Sequence, residues 1–185
     1  KDVLRLSRGM TFKAAIAGLN LGGGKAVIIG DAKTQKSEAL LRKFGRFVNN
    51  LNGKYITAED VGMSAPDMEM IAMETKHVSG LPGMSGDPSP VTAYTTYMGM
   101  KAAVKKMYGN DSLEGKTIAL QGAGHVGEYL LQHLVKEGAK VFVSEFYEDH
   151  LKDICNKYKV TPVSLDAIYD VDMDIYAPCA LGATI

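Results

Sequence analysis

The sequence predicts an α/β protein, with a doubly wound parallel sheet in its C-terminal part and a smaller α/β domain in its N-terminal part, each incomplete within these residues. Three observations carry that expectation. Thr117–Gln121 is an apolar run of strand length that leads into glycines at 122, 124 and 127, then a helical stripe, then a second strand ending in Glu145. Strand-like and helix-like stretches alternate on both sides of it, as βαβ units do. Between Ser79 and Pro90 the turn residues Gly80, Pro82, Gly83, Gly86, Pro88 and Pro90 crowd together, so a hinge is expected there, with domains at 1–88 and 89–185.

Taken in order, Val3, Leu4, Leu6, Met10, Ala14 and Ala17 recur at helical spacing until Gly22-Gly23-Gly24 breaks the pattern. Lys25–Ile29 then reads as a buried strand turning at Gly30-Asp31. Ala39, Leu40, Phe44, Phe47, Val48 and Leu51 give a second helix up to Gly53, and Tyr55–Thr57 a second strand that ends at Glu59-Asp60. Pro66 suits the first turn of a helix that buries Met68 and Ile71. A long helix is expected over about 89–108, closed by Gly109. After Thr117–Gln121, a stripe of Val126, Leu130, Leu131, Leu134 and Val135 stops at Gly138. Val141–Ser144 is the next strand, Leu151, Ile154 and Tyr158 mark a short helix, and Pro162-Val163 and Asp174–Ala177 are further parallel strands.

The stretch from Thr117 to Glu145 has the order of a dinucleotide-binding βαβ unit of the Rossmann type. Gly122 permits the tight turn, Gly124 lets a pyrophosphate approach the backbone, and Gly127 lets the helix pack on the strand; Ala123, His125 and Val126 complete the loop. Glu145, eighteen residues after Gly127, suits the adenosine ribose hydroxyls. Its charge favours NAD over NADP. The competing reading is an ordinary glycine-rich βαβ turn, which would not need the terminal acid.

With 21 basic and 21 acidic residues the chain has no charge excess, so nucleic acid and membrane surfaces are not expected partners. No apolar run approaches bilayer-spanning length. Cys155 and Cys179 lack metal-ligand spacing, as do His77, His125, His133 and His150, so no metal is expected and a reducing, cytoplasmic setting is. A redox pair of the two cysteines is weighed against ordinary buried thiols. The chain opens inside a helical pattern and closes just after a strand, which reads as missing material on both sides.

Lys13, Lys25 and Asp60 each stand where an element begins or ends. A lysine behind three glycines and near a second cation would have its charged form disfavoured and could serve as a base near neutral pH. A solvated surface lysine beside a plain loop fits the same residues. Five longer motifs bear on the choice: Leu4–Lys13, Gly18–Ala26, Tyr55–Gly62, Pro88–Ala93 and Asp174–Gly182. In these the chain resembles the glutamate, leucine, phenylalanine and valine dehydrogenase family over almost its whole length, and most closely the part of it that acts on leucine.

That resemblance implies NAD-dependent oxidative deamination of a branched-chain L-amino acid, leucine, to its 2-oxo acid and ammonia, by a homo-oligomer. It makes 1–88 a substrate and catalytic domain and 89–185 the dinucleotide domain. Lys13 would hold the substrate carboxylate, Lys25 would activate the attacking water, and Asp60 would pass protons to and from the amine. Met10, Ala58 and Ser79 would line the side-chain pocket, and Thr92 would bond the nicotinamide carboxamide. Against the family pattern, the loop 81–87 is short, Asp87 and His125 replace common asparagines, and Glu145 replaces a common aspartate. Phenylalanine or valine as substrate would use the same catalytic residues. A regulatory nucleotide-binding module would have lost Lys13, Lys25 or Asp60, and all three are present.

Overall fold

The computed structural model describes residues 1–84 and 86–182. The chain forms two compact units, Lys1–Pro88 and Ser89–Ile185.

The first unit is carried by α1 (Asp2–Ile16), α2 (Glu38–Asn50) and α3 (Ala65–Ala72). Ser37 caps α2 by accepting the Leu40 N–H, and Asp67 anchors the start of α3 by accepting the Ser64 N–H at 2.8 Å. The two helices cross closely because α2 carries Gly45 at the contact; a Cβ there would lie 2.6 Å from the Ile71 carbonyl oxygen. Leu41, Met68, Ile71 and Val78 form a small core around that crossing. Outside it, Glu74 accepts hydrogen bonds from both Arg42 and Arg46 of α2.

The expected strands of this unit are not formed among the described residues. Lys25–Ile29 makes no ladder, and Val27, Ile28 and Ile29 are 51%, 41% and 98% exposed rather than buried. The Tyr55–Thr57 stretch contributes a single parallel bridge, Thr57 to Val78. A strand exists only through its neighbour's hydrogen bonds; an apolar run is a candidate for a ladder, and no described segment pairs with residues 25–29.

The second unit begins with α4 (Ser89–Tyr108), followed by β1 (Thr117–Gln121), α5 (His125–Lys136), β2 (Lys140–Ser144), α6 (Glu148–Tyr158), β3 (Thr161–Pro162), a 3-10 turn (Ala167–Asp170) and β4 (Ile175–Pro178). The strands form one parallel sheet in the order β3-β2-β1-β4. The chain therefore steps outward from β1 to β3 and then returns to the other side of β1. Ile118, Leu120, Val141 and Val143 bury one sheet face in a core with Leu130, Leu131 and Leu134 of α5, Ile154 of α6, and Met100 and Val104 of α4. Gly138, at φ +84°, follows α5 in the left-handed conformation and ends it. Among the described residues no helix is long and apolar enough to cross a membrane.

Candidate functional site

In the first unit the structure brings Lys25 and Asp60 together across 35 positions of sequence. The Lys25 ammonium donates to Asp60 Oδ2. The triple glycine sets this contact by fitting, more than by leaving room. A Cβ on Gly23 would lie 2.0 Å from the Ser7 carbonyl oxygen of α1, and one on Gly24 would lie 2.8 Å from the Tyr55 ring. The loop is thus wedged between α1 and the Tyr55 segment. Only Gly22 faces open space, so a bare backbone free for a substrate describes that one position.

Lys13 lies exposed on α1, and Met10, half-buried, is one turn before it on the same face. Burial lowers the Lys25 pKa, and the Lys13 ammonium lowers it further. The Asp60 carboxylate favours the charged form, yet the net direction is downward. This lysine holds its proton less tightly than a solvated one, while an acceptor sits in contact with it.

Ala58 and Ser79 are neighbours through backbone pairing. The Thr57 N–H donates to the His77 carbonyl at 3.0 Å, and the Ser79 N–H donates to the Thr57 carbonyl at 2.8 Å, leaving both residues exposed side by side. Gly80, at φ +93°, passes Glu59 so closely that a Cβ would come within 3.1 Å of the Glu59 Cβ. Lys25 also borders a hollow of about 330 Å³ walled by Phe44, Phe47, Leu51 and Tyr55. Met10, Ala58 and Ser79 are not among the residues that wall it. Of the loop 81–87, Ser85 lies outside the described residues.

In the second unit the three glycines do three different things. Gly122 has φ +87°, and a Cβ on it would meet the Ala180 nitrogen at 2.7 Å. Gly127 rests on the start of the loop, where a Cβ would come within 2.1 Å of the Gly122 carbonyl oxygen. Gly124 has nothing within 4 Å of where its Cβ would be, so the backbone entering α5 is open to an approaching group. His125 and Val126 open α5, whose first N–H groups have no intrahelical acceptor and favour an anion.

Glu145 is less free than its place at a strand end suggests. Its Oε2 accepts the Ala123 N–H at 2.8 Å, and its Oε1 accepts the Phe146 and Tyr147 N–H groups at 2.8 and 3.3 Å. A carboxylate offers about four acceptor sites, so one remains for a hydroxyl. Thr92 is exposed in the first turn of α4, where its carbonyl accepts the Thr95 and Thr96 hydroxyls at 2.9 Å.

Two features of this end of the sheet escaped the sequence reading. His150 places Nε2 2.9 Å from the Ala123 carbonyl oxygen, behind the glycine turn. Gln121, only 7% exposed, is held by Tyr169 and Tyr176. The one sequence signal for the latter was a polar residue closing an otherwise apolar strand. Cys155 and Cys179 are free thiols; burial raises both pKa values, that of Cys179 to about 11. Among the described residues no cluster of His, Cys, Asp and Glu could hold a metal ion.

Two family models match the chain: the Glu/Leu/Phe/Val dehydrogenase dimerisation domain over residues 1–77, and Glutamate/Leucine/Phenylalanine/Valine dehydrogenase over residues 83–145. The leucine dehydrogenases of Thermoactinomyces intermedius and Bacillus subtilis are each 55% identical to it over 188 residues, covering 100% of this chain and 51% and 52% of theirs. A solved L-tryptophan dehydrogenase from Nostoc punctiforme superimposes with a TM-score of 0.72 at 43% identity, over 98% of this chain and 51% of that one. The chain spans about half the length of the curated relatives it matches.

Proposed function

Because the chain belongs to the Glu/Leu/Phe/Val dehydrogenase family, we propose that its protein oxidatively deaminates a branched-chain L-amino acid, leucine foremost, to the 2-oxo acid and ammonia, with NAD as oxidant. The observation that carries the reading is the Lys25–Asp60 contact, with the Lys25 pKa lowered by burial and by Lys13. In this reading 1–88 is the substrate and catalytic domain, and 89–185 is the first half of a doubly wound dinucleotide domain. The strand order β3-β2-β1-β4 supports the latter, since it begins the 3-2-1-4-5-6 order of that fold.

NAD, when bound, accepts the α-hydride of the amino acid. The glycine turn, the open backbone at Gly124 and the remaining acceptor site on Glu145 suit its pyrophosphate and ribose, and Thr92 its carboxamide. The chain's own residues handle the rest. Lys13 pairs with the substrate carboxylate, so the α-carbon is held in one orientation. Asp60 accepts a proton from the substrate ammonium, without which the nitrogen lone pair could not drive hydride departure. Lys25, neutral for part of the cycle, takes a proton from the water that adds to the resulting imine; Asp60 returns one to the departing ammonia. Met10, Ala58 and Ser79 border the substrate side chain.

An aromatic amino acid is the second reading, favoured by the likeness to the L-tryptophan dehydrogenase. The match to a dimerisation domain, together with exposed Ile16, Val27 and Ile29, supports self-association of the first unit. The balanced charge and free thiols support a cytoplasmic setting. Absorbance at the reduced-nicotinamide band tests the proposal, with the full-length protein given NAD and leucine, valine, isoleucine, phenylalanine or tryptophan in turn. Fastest reduction is expected with leucine. Fastest reduction with an aromatic substrate would move the reading to the second one, and no reduction with any of the five would overturn it.

A further inference from the structure

We propose that Gln121 is a positioning residue for the dinucleotide, clamped by Tyr169 and Tyr176 so that the glycine turn leaves the sheet at one fixed angle. The proposal rests on the NAD reading above. Gln121 closes β1, and the turn begins at the next residue. Its amide nitrogen donates to the Tyr169 hydroxyl at 2.8 Å, and its amide oxygen accepts the Tyr176 hydroxyl at 2.6 Å. The two rings lie together, with centroids 5.7 Å apart. Tyr169 comes from the 3-10 turn and Tyr176 from β4, so the amide ties β1 to the return crossover and to its neighbouring strand.

The backbone at the same rung is fastened on both sides. The Gln121 carbonyl accepts the Cys179 N–H at 2.7 Å, and the Gly122 N–H donates to the Ser144 carbonyl at 2.8 Å. Beyond these bonds the Gly124 carbonyl accepts the Glu128 N–H at 2.8 Å as α5 begins, and nothing lies within 4 Å of where a Cβ on Gly124 would be. The turn therefore leaves the sheet from a rung fixed at residues 121 and 122, and Glu145 and His150 fasten Ala123 on the way to the α5 N-terminus. A leucine would fill a similar volume at 121 but would strip both phenols of their shared partner, letting the last rung shift. The shift would be felt by the cofactor and not by the charged residues of the first unit.

Steady-state kinetics of the full-length protein test this, with Gln121→Leu, Gln121→Glu and Tyr169→Phe. Gln121→Leu is expected to raise the KM for NAD about tenfold, the equivalent of one to two buried hydrogen bonds, while kcat and the KM for the amino acid stay within about twofold. Gln121→Glu, whose carboxylate can accept from both phenols, is expected to recover most of that loss. Tyr169→Phe removes one hydroxyl from a half-exposed residue, so folding survives even if Gln121→Leu does not fold; it is expected to raise the KM for NAD about threefold, as for one part-buried bond. A lowered Tm with an unmoved KM for NAD would show a purely structural clamp and overturn the proposal. An unmodified protein that reduces and binds no NAD would overturn the dinucleotide reading itself, and this inference with it.

Discussion

The two units solve the problem of holding a reactive group by opposite means. In the second, the proposed site is backbone: a glycine turn stapled to the ends of β1, β2 and β4, over a core whose Ile118, Leu120, Leu130 and Leu134 are fully buried. In the first, the proposed site is side-chain charge, Lys25 against Asp60 with Lys13 nearby, on a frame whose small core is Leu41, Met68, Ile71 and Val78. A backbone site is damaged by adding atoms, because there is no room for them. A charge site is damaged by removing them, and the fold hardly notices.

The largest effect should come from the charge site. Lys25→Ala is expected to lower kcat about 10³-fold, the usual worth of a positioned acid–base group, with NAD binding and Tm little changed. Calorimetric NAD binding alongside turnover checks this, and a variant with nearly normal turnover would remove Lys25 from the chemistry. The glycines give the converse. Gly127→Ala should cost about 1–3 kcal/mol of stability through overpacking on the Gly122 carbonyl, whereas Gly124→Ala should leave Tm alone and weaken NAD binding. Thermal melts and NAD titrations of the pair separate packing from approach; equal Tm losses would merge the two roles.

How much of this was legible in the sequence follows the same division. Thr117–Gln121 and the helix 89–108 stand where the periodicity predicts them, because their apolar faces are strong and a shared core selects them. Lys25–Ile29 failed as a strand because apolar content marks a candidate, while pairing depends on a neighbour that sequence pattern does not locate. The 3-10 turn at Ala167–Asp170 carries no period long enough to read. The Lys25–Asp60 pairing was implied by family motifs and could not be read from spacing, since 35 residues separate them. The packing of Gly23 against α1, and the tyrosines on Gln121, are tertiary facts with almost no local signature.

Smaller effects sharpen the contrast. Ser144 is fully buried, and its Oγ has no hydrogen-bond partner among the described residues. Ser144→Ala should therefore leave stability unchanged or raise it by about 1 kcal/mol; a clear drop in Tm would mean that this hydroxyl has a partner such as an ordered water. In the first unit, hydrogen bonds from Arg46 and then Arg42 lower the Glu74 pKa to about 2. A depressed carboxylate pKa means that the ion pairs stabilise the fold above the ordinary carboxylate range, and that this contribution is lost as pH falls from there toward 2. Melts from pH 5 downward should show unmodified protein losing more stability than Glu74→Gln, and parallel losses would dismiss the ion pairs as a support of α2.

The proposed chemistry needs Lys25 to be a lysine that readily gives up its proton. Its reactivity toward trace acetic anhydride, followed residue by residue by mass spectrometry across pH, measures this without turnover. Half-maximal reaction is predicted below the ordinary lysine value of about 10.4, and it should move upward in Lys13→Gln, where the neighbouring ammonium is gone. A midpoint at or above the ordinary value, unmoved by Lys13→Gln, would contradict the account.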